Sequence, residues 1–390
     1  MQNASNFDLQ WCCLISQVSE VIDLDATARA THALVRRREI RNGEALFRLA
    51  LAYGPGGLSL RSAAAWAGAS GLADLSDTAV MKRIRNSADW LGEIAGALLR
   101  RGQAAPLAAA ILPGRRLRVV DGSVITQPGS LGTDWRLHAT YDPAATRFTD
   151  LALTDQHGAE SFARTTLAAG DVALGDRGYA KPGDLQAVLG CGADFIVRIG
   201  HASLRLMQPD GAPLAWPALF AALPPDGVVE RPVVVEKAGK GRDRPGRPLF
   251  AARLIVCRLS LAAAERGERR VRRKHSKCRA RGVLHPMTVQ SAGLLMMLTS
   301  LPPAVSATEV LAAYRVRWQV ELAFKRLKSL LGLDRLPAKC RVLARSWLLA
   351  HLILALLIDD IAQDLLEAPP SAARGAARLR VPVADHAYAA

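Results

Sequence analysis

Tyr314, Arg317, Glu321 and Lys328 recur within AYRVRWQVELAFKRLKSLLGLDRL, the stretch from Ala313 to Leu336. At about 100° per residue, a single helix gathers these four side chains within an arc of roughly 60°, with Trp318 and Lys325 flanking them. Val316, Val320, Ala323, Phe324 and Leu327 fall on the opposite side as a core-facing stripe. An acid set among cations on one exposed face has two readings. It is a solvated surface in which Arg317 and Glu321 make an i,i+4 pair, worth roughly a few tenths of a kcal/mol, or it is a site that awaits a ligand.

Two aspartates upstream bear on the choice. Asp121 in VVDGS and Asp176 in LGDRG each close an apolar run and read as strand ends. A nearby Gly permits a sharp turn and leaves the carboxylate exposed at a sheet edge, although Asp before Gly also serves plain turns. With Glu321 they make three acids on separate elements of one α/β domain. Acids that converge repel one another, and their pKa values rise unless a cation sits between them. Magnesium or manganese suits such hard oxygen donors. Two such ions, about 4 Å apart, can activate a nucleophile and stabilise the leaving oxygen of a phosphoryl displacement.

The whole-chain balance points to the same kind of substrate. With a net charge of +16 and a pI near 10.2, the 390-residue chain favours a polyanionic partner, nucleic acid before any other. The six cysteines lack CxxC spacing or partner histidines at zinc-like intervals and read as reduced, buried thiols of a cytoplasmic protein. MQNASNFDLQ has no signal-peptide pattern. WLLAHLILALLI, from Trp347 to Ile358, is too short to span a bilayer and reads as a buried core helix, with His351 as a core histidine. No membrane partner is expected.

The elements that must position these residues follow from the periodicity. Half the chain is apolar, enough for two or three domains. Residues 1–105 form a helical domain. Within it a helix from Ser59 to Trp66, a Gly-containing turn and a second helix capped by Ser76 or Asp77 suit a helix-turn-helix, whose second member carries Lys82, Arg83 and Arg85 toward DNA. Residues 106–200 begin an α/β unit: a strand through VVDGS, a hairpin around Asp142 and Pro143, a strand into LGDRGY, a helix near Lys181 to Leu189 and the strand DFIVRIG. Residues 201–300 read as a mostly β insertion outside the rhythm of that sheet. It holds ERGERRVRRKHSKCRARG, where nine Lys or Arg, Arg272, Arg273 and Lys274 among them, face two Glu. Such a run is a poor isolated helix without a counter-charge, which phosphate supplies. Residues 301–367 return to the α/β unit, opened by the capping-box sequence SATE at Ser306–Glu309, and 368–390 are expected to be a disordered tail.

The spacing from Tyr314 through Arg317 and Glu321 to Lys328 resembles the YREK signature of the insertion sequence 4 family of bacterial DDE transposases. VVDGS and LGDRGY resemble the regions that hold that family's two catalytic Asp, and KSLLGLDRL with the apolar helix after it resembles the family's C-terminal end. The resemblance covers about residues 110 to 360, more weakly the helical region before them. It implies an RNase H-like mixed sheet flanked by helices and interrupted by a largely β insertion. It also implies a metal-dependent transposase with Asp121, Asp176 and Glu321 as catalytic ligands of two Mg2+ or Mn2+ ions.

On this resemblance, water frees a 3′ hydroxyl at each transposon end, a hairpin forms in some members, and the 3′ hydroxyl is joined to target DNA. Tyr314, Arg317 and Lys328, with Lys325 beside them, hold phosphates of the end. The partners are double-stranded DNA, at the terminal inverted repeats and the target, and a second copy of the chain in the synaptic complex. A tryptophan of the family's insertion stacks on a flipped base; Trp216 is the insertion's Trp here, with a core role as its alternative, and Trp318 lies on the motif itself, placed either to back Tyr314 or to pack under the insertion. The rival readings are a structure-specific endonuclease of the same chemistry and a non-catalytic DNA-binding protein from a decayed element.

Overall fold

The computed structural model describes residues 2–102, 112–130, 132–145, 147–225, 227–237, 247–277, 284–331 and 336–367. Two compact units emerge: one comprises residues up to Leu98 together with those from Leu349 onward, the other Leu99–Leu348. The expected tail, 368–390, lies outside the described residues.

The first unit is helical, with α1 (Gln2–Ser19), α2 (Leu24–Ala30), α3 (Gly43–Tyr53), α4 (Leu60–Ala69), α5 (Asp77–Asn86) and α6 (Ala88–Gly102). Short polar residues set the boundaries: Asp23, Asn42, Ser59 and Ser76 each cap a helix by accepting a backbone N–H. The α4 and α5 pair matches the expected helix-turn-helix caps. Trp90 is fully buried edge-on to Phe47 and donates its indole N–H to Thr27 at 3.1 Å.

The second unit is built on one nine-stranded mixed sheet in the order β3-β2-β1-β4-β5-β9-β8-β7-β6. Its strands are β1 (Arg116–Ile125), β2 (Trp135–Asp142), β3 (Arg147–Asp155), β4 (Asp171–Gly175), β5 (Asp194–Ile199), β6 (Arg205–Met207), β7 (Val228–Lys237), β8 (Arg247–Arg258) and β9 (Leu294–Thr299). Its helices are α7 (Pro182–Gly190), α8 (Trp216–Ala221), α9 (Leu261–Lys277), α10 (Pro286–Gln290), α11 (Ala307–Arg315) and α12 (Trp318–Leu331); α13 (Arg341–Glu367) starts here and ends in the first unit. β1, β4 and β5 run parallel, and the remaining pairings are antiparallel. Val120, Ala173, Phe195 and Val197 project to one face with Leu185 and Val188 of α7. On the other face α12 packs on β1, and Phe324 lies 6.1 Å from the ring of Phe148.

Three expectations change. The residues from 201 to 300 do not stand apart from the first sheet: β9 pairs with β5, β8 with β9, and the sheet simply continues outward. The basic run, expected to be a poor helix when isolated and without a counter-charge, is packed against α10 and is helical to Lys277 as α9, beyond which 278–283 lie outside the described residues. The five described cysteines are not buried: Cys12, Cys13, Cys191 and Cys340 are exposed and Cys257 is half-buried, all as free thiols. Each Cys side chain is small enough to sit at a surface without an apolar patch forming around it. One described helix, α13, is long and apolar enough over Arg341–Ile358 to cross a membrane, but 72% of that window is buried, as a core helix requires, and His351 within it is buried too.

The new sheet neighbours reach the motif helices directly. Arg253 of β8, a buried cation, bonds Glu230 at 2.6 Å and the carbonyls of Leu301 and Pro302 at 2.9 and 2.8 Å. This fixes the chain just before Ser306, which caps α11 in a complete capping box with Glu309. Phe324→Ala removes the ring that seats α12 on β1 and β3 and should destabilise this unit by about 3 kcal/mol, read as a lowered thermal unfolding midpoint; an unchanged midpoint would mean that α12 is not packed there.

Candidate active site

The parallel register of β1 and β4 brings two of the acids together. Val119 pairs with Leu174, and two residues further along each strand come Asp121 and Asp176. Adjacent strands lie about 4.8 Å apart, so the two carboxylates stand side by side where β4 ends. Asp176 follows the strand as expected and accepts from Gly178 N–H at 2.7 Å. Asp121 does not end its strand: β1 runs on through Gly122 and Ser123 to Ile125, because β2 still pairs with it after β4 has left. Its carboxylate accepts from Gly122 N–H at 2.8 Å.

The single helix expected from Ser306 through the motif is two. α11 stops at Arg315 and α12 begins at Trp318, with the backbone at Val316, Arg317 and Gln319 bonded three residues back instead of four. Tyr314 and Arg317 therefore do not share one helical face with Glu321 by periodicity alone. The tightened turn carries Arg317 over the sheet instead. Its guanidinium pairs with Glu321, lies 3.6 Å from Asp121 Oδ2 and sits 5.9 Å over the Tyr314 ring. Val320, Ala323 and Phe324 are buried as expected, Val316 only half so, and Leu327 falls among side chains outside the described set.

Arg317 thus bridges two acids that approach from different elements. Glu321 is exposed, whereas Asp121 and Arg317 are about four-fifths buried. Burial, with Asp176 and Glu321 adding to it, pushes Asp121 up to about 6 against the pull of Gly122 N–H and Arg317. Burial alone would depress Arg317, but Tyr314, Glu321 and Asp121 outweigh it and hold its pKa above the usual value. Among the described residues no three His, Cys, Asp or Glu side chains close around a single point where a metal would sit; Glu321 is turned to Arg317 instead. The donor set nevertheless fits a hard divalent cation. It is all carboxylate oxygen, it is short of positive charge at Asp121, and a cation already occupies the position between two of its members.

Beside the acids lies a groove of about 330 Å3 lined by Asp176, Arg177, Arg198, Arg270, Tyr314 and Arg317. α9 reaches it because Gly267 crosses close to the backbone of Ala292: a Cβ there would stand 2.5 Å from the Ala292 carbonyl oxygen. Arg198 Nε is buried without a hydrogen-bond partner, and burial together with Arg198 depresses Arg177. Among the described residues no carboxylate lies within ion-pair distance of Arg177, Arg198 or Arg270. Three neighbouring cations with no ion-paired carboxylate among the described residues favour an anion between them. Sequence reasoning reached Arg270 as part of the basic run but missed Arg177 and Arg198; the signals were an Arg directly after Asp176 and a lone Arg inside the apolar strand DFIVRIG.

The other expected contacts are spread out. Arg272, Arg273 and Lys274 are exposed on α9, Lys325 is exposed on α12, and the Lys328 side chain lies outside the described set. On α5, Lys82 and Arg85 are exposed, but Arg83 is half-buried and donates to the Arg36 carbonyl at 3.3 Å. Trp216 packs on the core beside Phe220, while Trp318 is 54% exposed.

Residues 112–357 match the family model described as "Transposase DDE domain". The chain belongs to the DDE transposase family. It is 41% identical over 366 residues to "Putative transposase InsL for insertion sequence element IS186A" of Escherichia coli (strain K12), a match covering 93% of this chain and 96% of the relative. It is likewise 41% identical over 367 residues to the transposase for insertion sequence element IS421 of Escherichia coli, with the same coverage. As a DDE transposase of the insertion sequence 4 type, it is an enzyme that cleaves and transfers DNA strands.

The raised pKa of Asp121 makes a signed prediction for the metal-free transposase. The fold favours its protonated form, so the stability it contributes is fully present below about 4 and lost as pH rises through about 6. His138 acts in reverse: burial, then Arg164, Arg136 and Lys181, lower it to about 4, so its contribution is lost as pH falls from 6.5. The difference between parent and variant isolates Asp121. Without divalent metal, Asp121→Asn should be the more stable protein at pH 7.5, by on the order of 2 kcal/mol, and that advantage should shrink toward pH 4. A pH-independent difference in unfolding midpoint would contradict the assignment.

Proposed function

We propose that this transposase moves an insertion sequence by metal-dependent cleavage and transesterification of its terminal inverted repeats, with Asp121, Asp176 and Glu321 as ligands of Mg2+ or Mn2+. One observation carries the reading: Arg317 pairs with Glu321 and approaches Asp121 at the edge of a cationic groove that Asp176 also lines. Carboxylates neutralised by an internal cation, next to cations with no ion-paired carboxylate among the described residues, are the two halves of a phosphodiester site before its phosphate arrives.

The chain's own residues divide the work. Arg177, Arg198 and Arg270 hold the backbone of the transposon end in the groove, and Tyr314 adds its phenol hydroxyl. As a phosphate draws Arg317 toward the groove, Glu321 is released to face Asp121 and Asp176. Bound among these three, divalent ions would activate the attacking water or 3′ hydroxyl and stabilise the leaving oxygen. Asp121 and Asp176, fixed on neighbouring strands by the sheet's register, keep the ligand set rigid through both reactions. The exposed cations of α9 and α5, and Lys325 and Lys328, extend the DNA path by phosphate contacts. The relatives named for insertion sequence elements support the substrate. Work on two ends calls for two copies of the chain, acting in the bacterial cytoplasm.

The test is a linear fragment carrying the element's ends, incubated with Mg2+ and the parent, Asp176→Asn or Glu321→Gln. Both variants should still bind the ends but lose strand cleavage by about a hundredfold or more. Parent-like cleavage by either would place the active site elsewhere.

A further inference from the structure

Glu160 lies in the loop between β3 and β4, and its half-buried side chain sits against both aspartate motifs. At Gly122, next to Asp121, a Cβ would stand 3.3 Å from Glu160 Cγ and Oε1. At Gly178, two residues after Asp176, Glu160 Oε2 fills the space that a side chain would need, and Asp176 Oδ1 is 3.1 Å from the same point. Neither glycine has a positive φ. Close approach of a carboxylate, rather than turn conformation, is what requires glycine at both places. Glu160 therefore belongs to the same acid cluster as Asp121 and Asp176.

Tyr179 is the second, independent observation. It is fully buried, and its hydroxyl has no hydrogen-bond partner in the structure. The acids whose fields reach that hydroxyl are Asp121, Glu160 and Asp176, with Arg136 opposing them. Leaving a buried hydroxyl unsatisfied costs roughly 1–3 kcal/mol. A water held by a cation among those acids would satisfy it, since buried water characteristically bridges otherwise unpaired polar groups. Glu160 is available for such a water: Arg136 approaches Oε1 only to 3.9 Å, and Lys181 bonds the Glu160 backbone carbonyl instead of its carboxylate.

On the metal-centre reading above, we propose that Glu160 is a fourth acid of that centre, accepting hydrogen bonds from the water shell of a divalent cation held by Asp121 and Asp176. It is a positioning residue: it acts through the hydrated cation and fixes the side of the site on which water is held.

The experiment is a titration of Mn2+ into the full-length protein without DNA, following free Mn2+ by electron paramagnetic resonance. It compares the parent with Glu160→Gln, Glu160→Asp and Asp176→Asn. Glu160→Gln should weaken Mn2+ binding by about tenfold or more, and Glu160→Asp should recover part of the loss. Parent-like affinity in Glu160→Gln, alongside a loss in Asp176→Asn, overturns the role of Glu160 and leaves the metal centre standing. Parent-like affinity in both overturns the metal centre as well. Should Glu160→Gln fail to fold in the metal-free state, Glu160→Asp decides alone: weaker Mn2+ binding supports the proposal and unchanged binding overturns it.

Discussion

A largely buried carboxylate on β1 beside a second one just past the end of β4 calls for a positive charge, and the rest of this site is arranged around that constraint. The register that pairs Val119 with Leu174 commits Asp121 and Asp176 to the same end of the sheet. Glu321 adds a third acid from the helix above. In the metal-free protein the counter-charge is Arg317, carried in by the tightened turn between α11 and α12. A continuous helix would leave Arg317 one face among several. The broken one delivers it onto the acids.

The same charge accounting explains why the residues between Asp176 and Glu321 are joined to the catalytic sheet rather than set apart from it. β8 and β9 place α9 beside the acids, so that Arg270 meets Arg177 and Arg198 across a narrow groove. Arg253 ties that region to the start of α11. Under the proposed function, DNA phosphate would balance the arginines that have no ion-paired carboxylate among the described residues, and a divalent metal would balance the acids that share Arg317. Coupling of this kind would keep the proposed machinery incomplete until substrate arrives.

Much of this was legible in the sequence because it rests on residue type and local spacing. The helix caps at Ser59, Ser76 and Ser306, the hairpin at Asp142, and the strands around VVDGS and LGDRGY follow from short-range chemistry. What was not legible depends on long-range pairing. Whether β1 ends at Asp121 is decided by β2, whose partner residue Ala139 sits across from it. Whether the insertion leaves the sheet is decided by the pairing of β9 with β5, about a hundred residues apart in sequence. Arg198 stands in a buried strand and Glu160 in a loop, and only the fold puts them against the site. Gly122 and Gly178 were visible as glycines, but the cause first suggested, a sharp turn, gives way to the space taken by Glu160.

The central claim is that Arg317 stands in for the metal. It is tested most directly by the Mn2+ affinity of Arg317→Gln in the absence of DNA. If Arg317 neutralises Asp121 and Glu321 until a metal displaces it, removing its charge should tighten Mn2+ binding relative to the parent. Weaker or unchanged Mn2+ binding by Arg317→Gln would contradict the account.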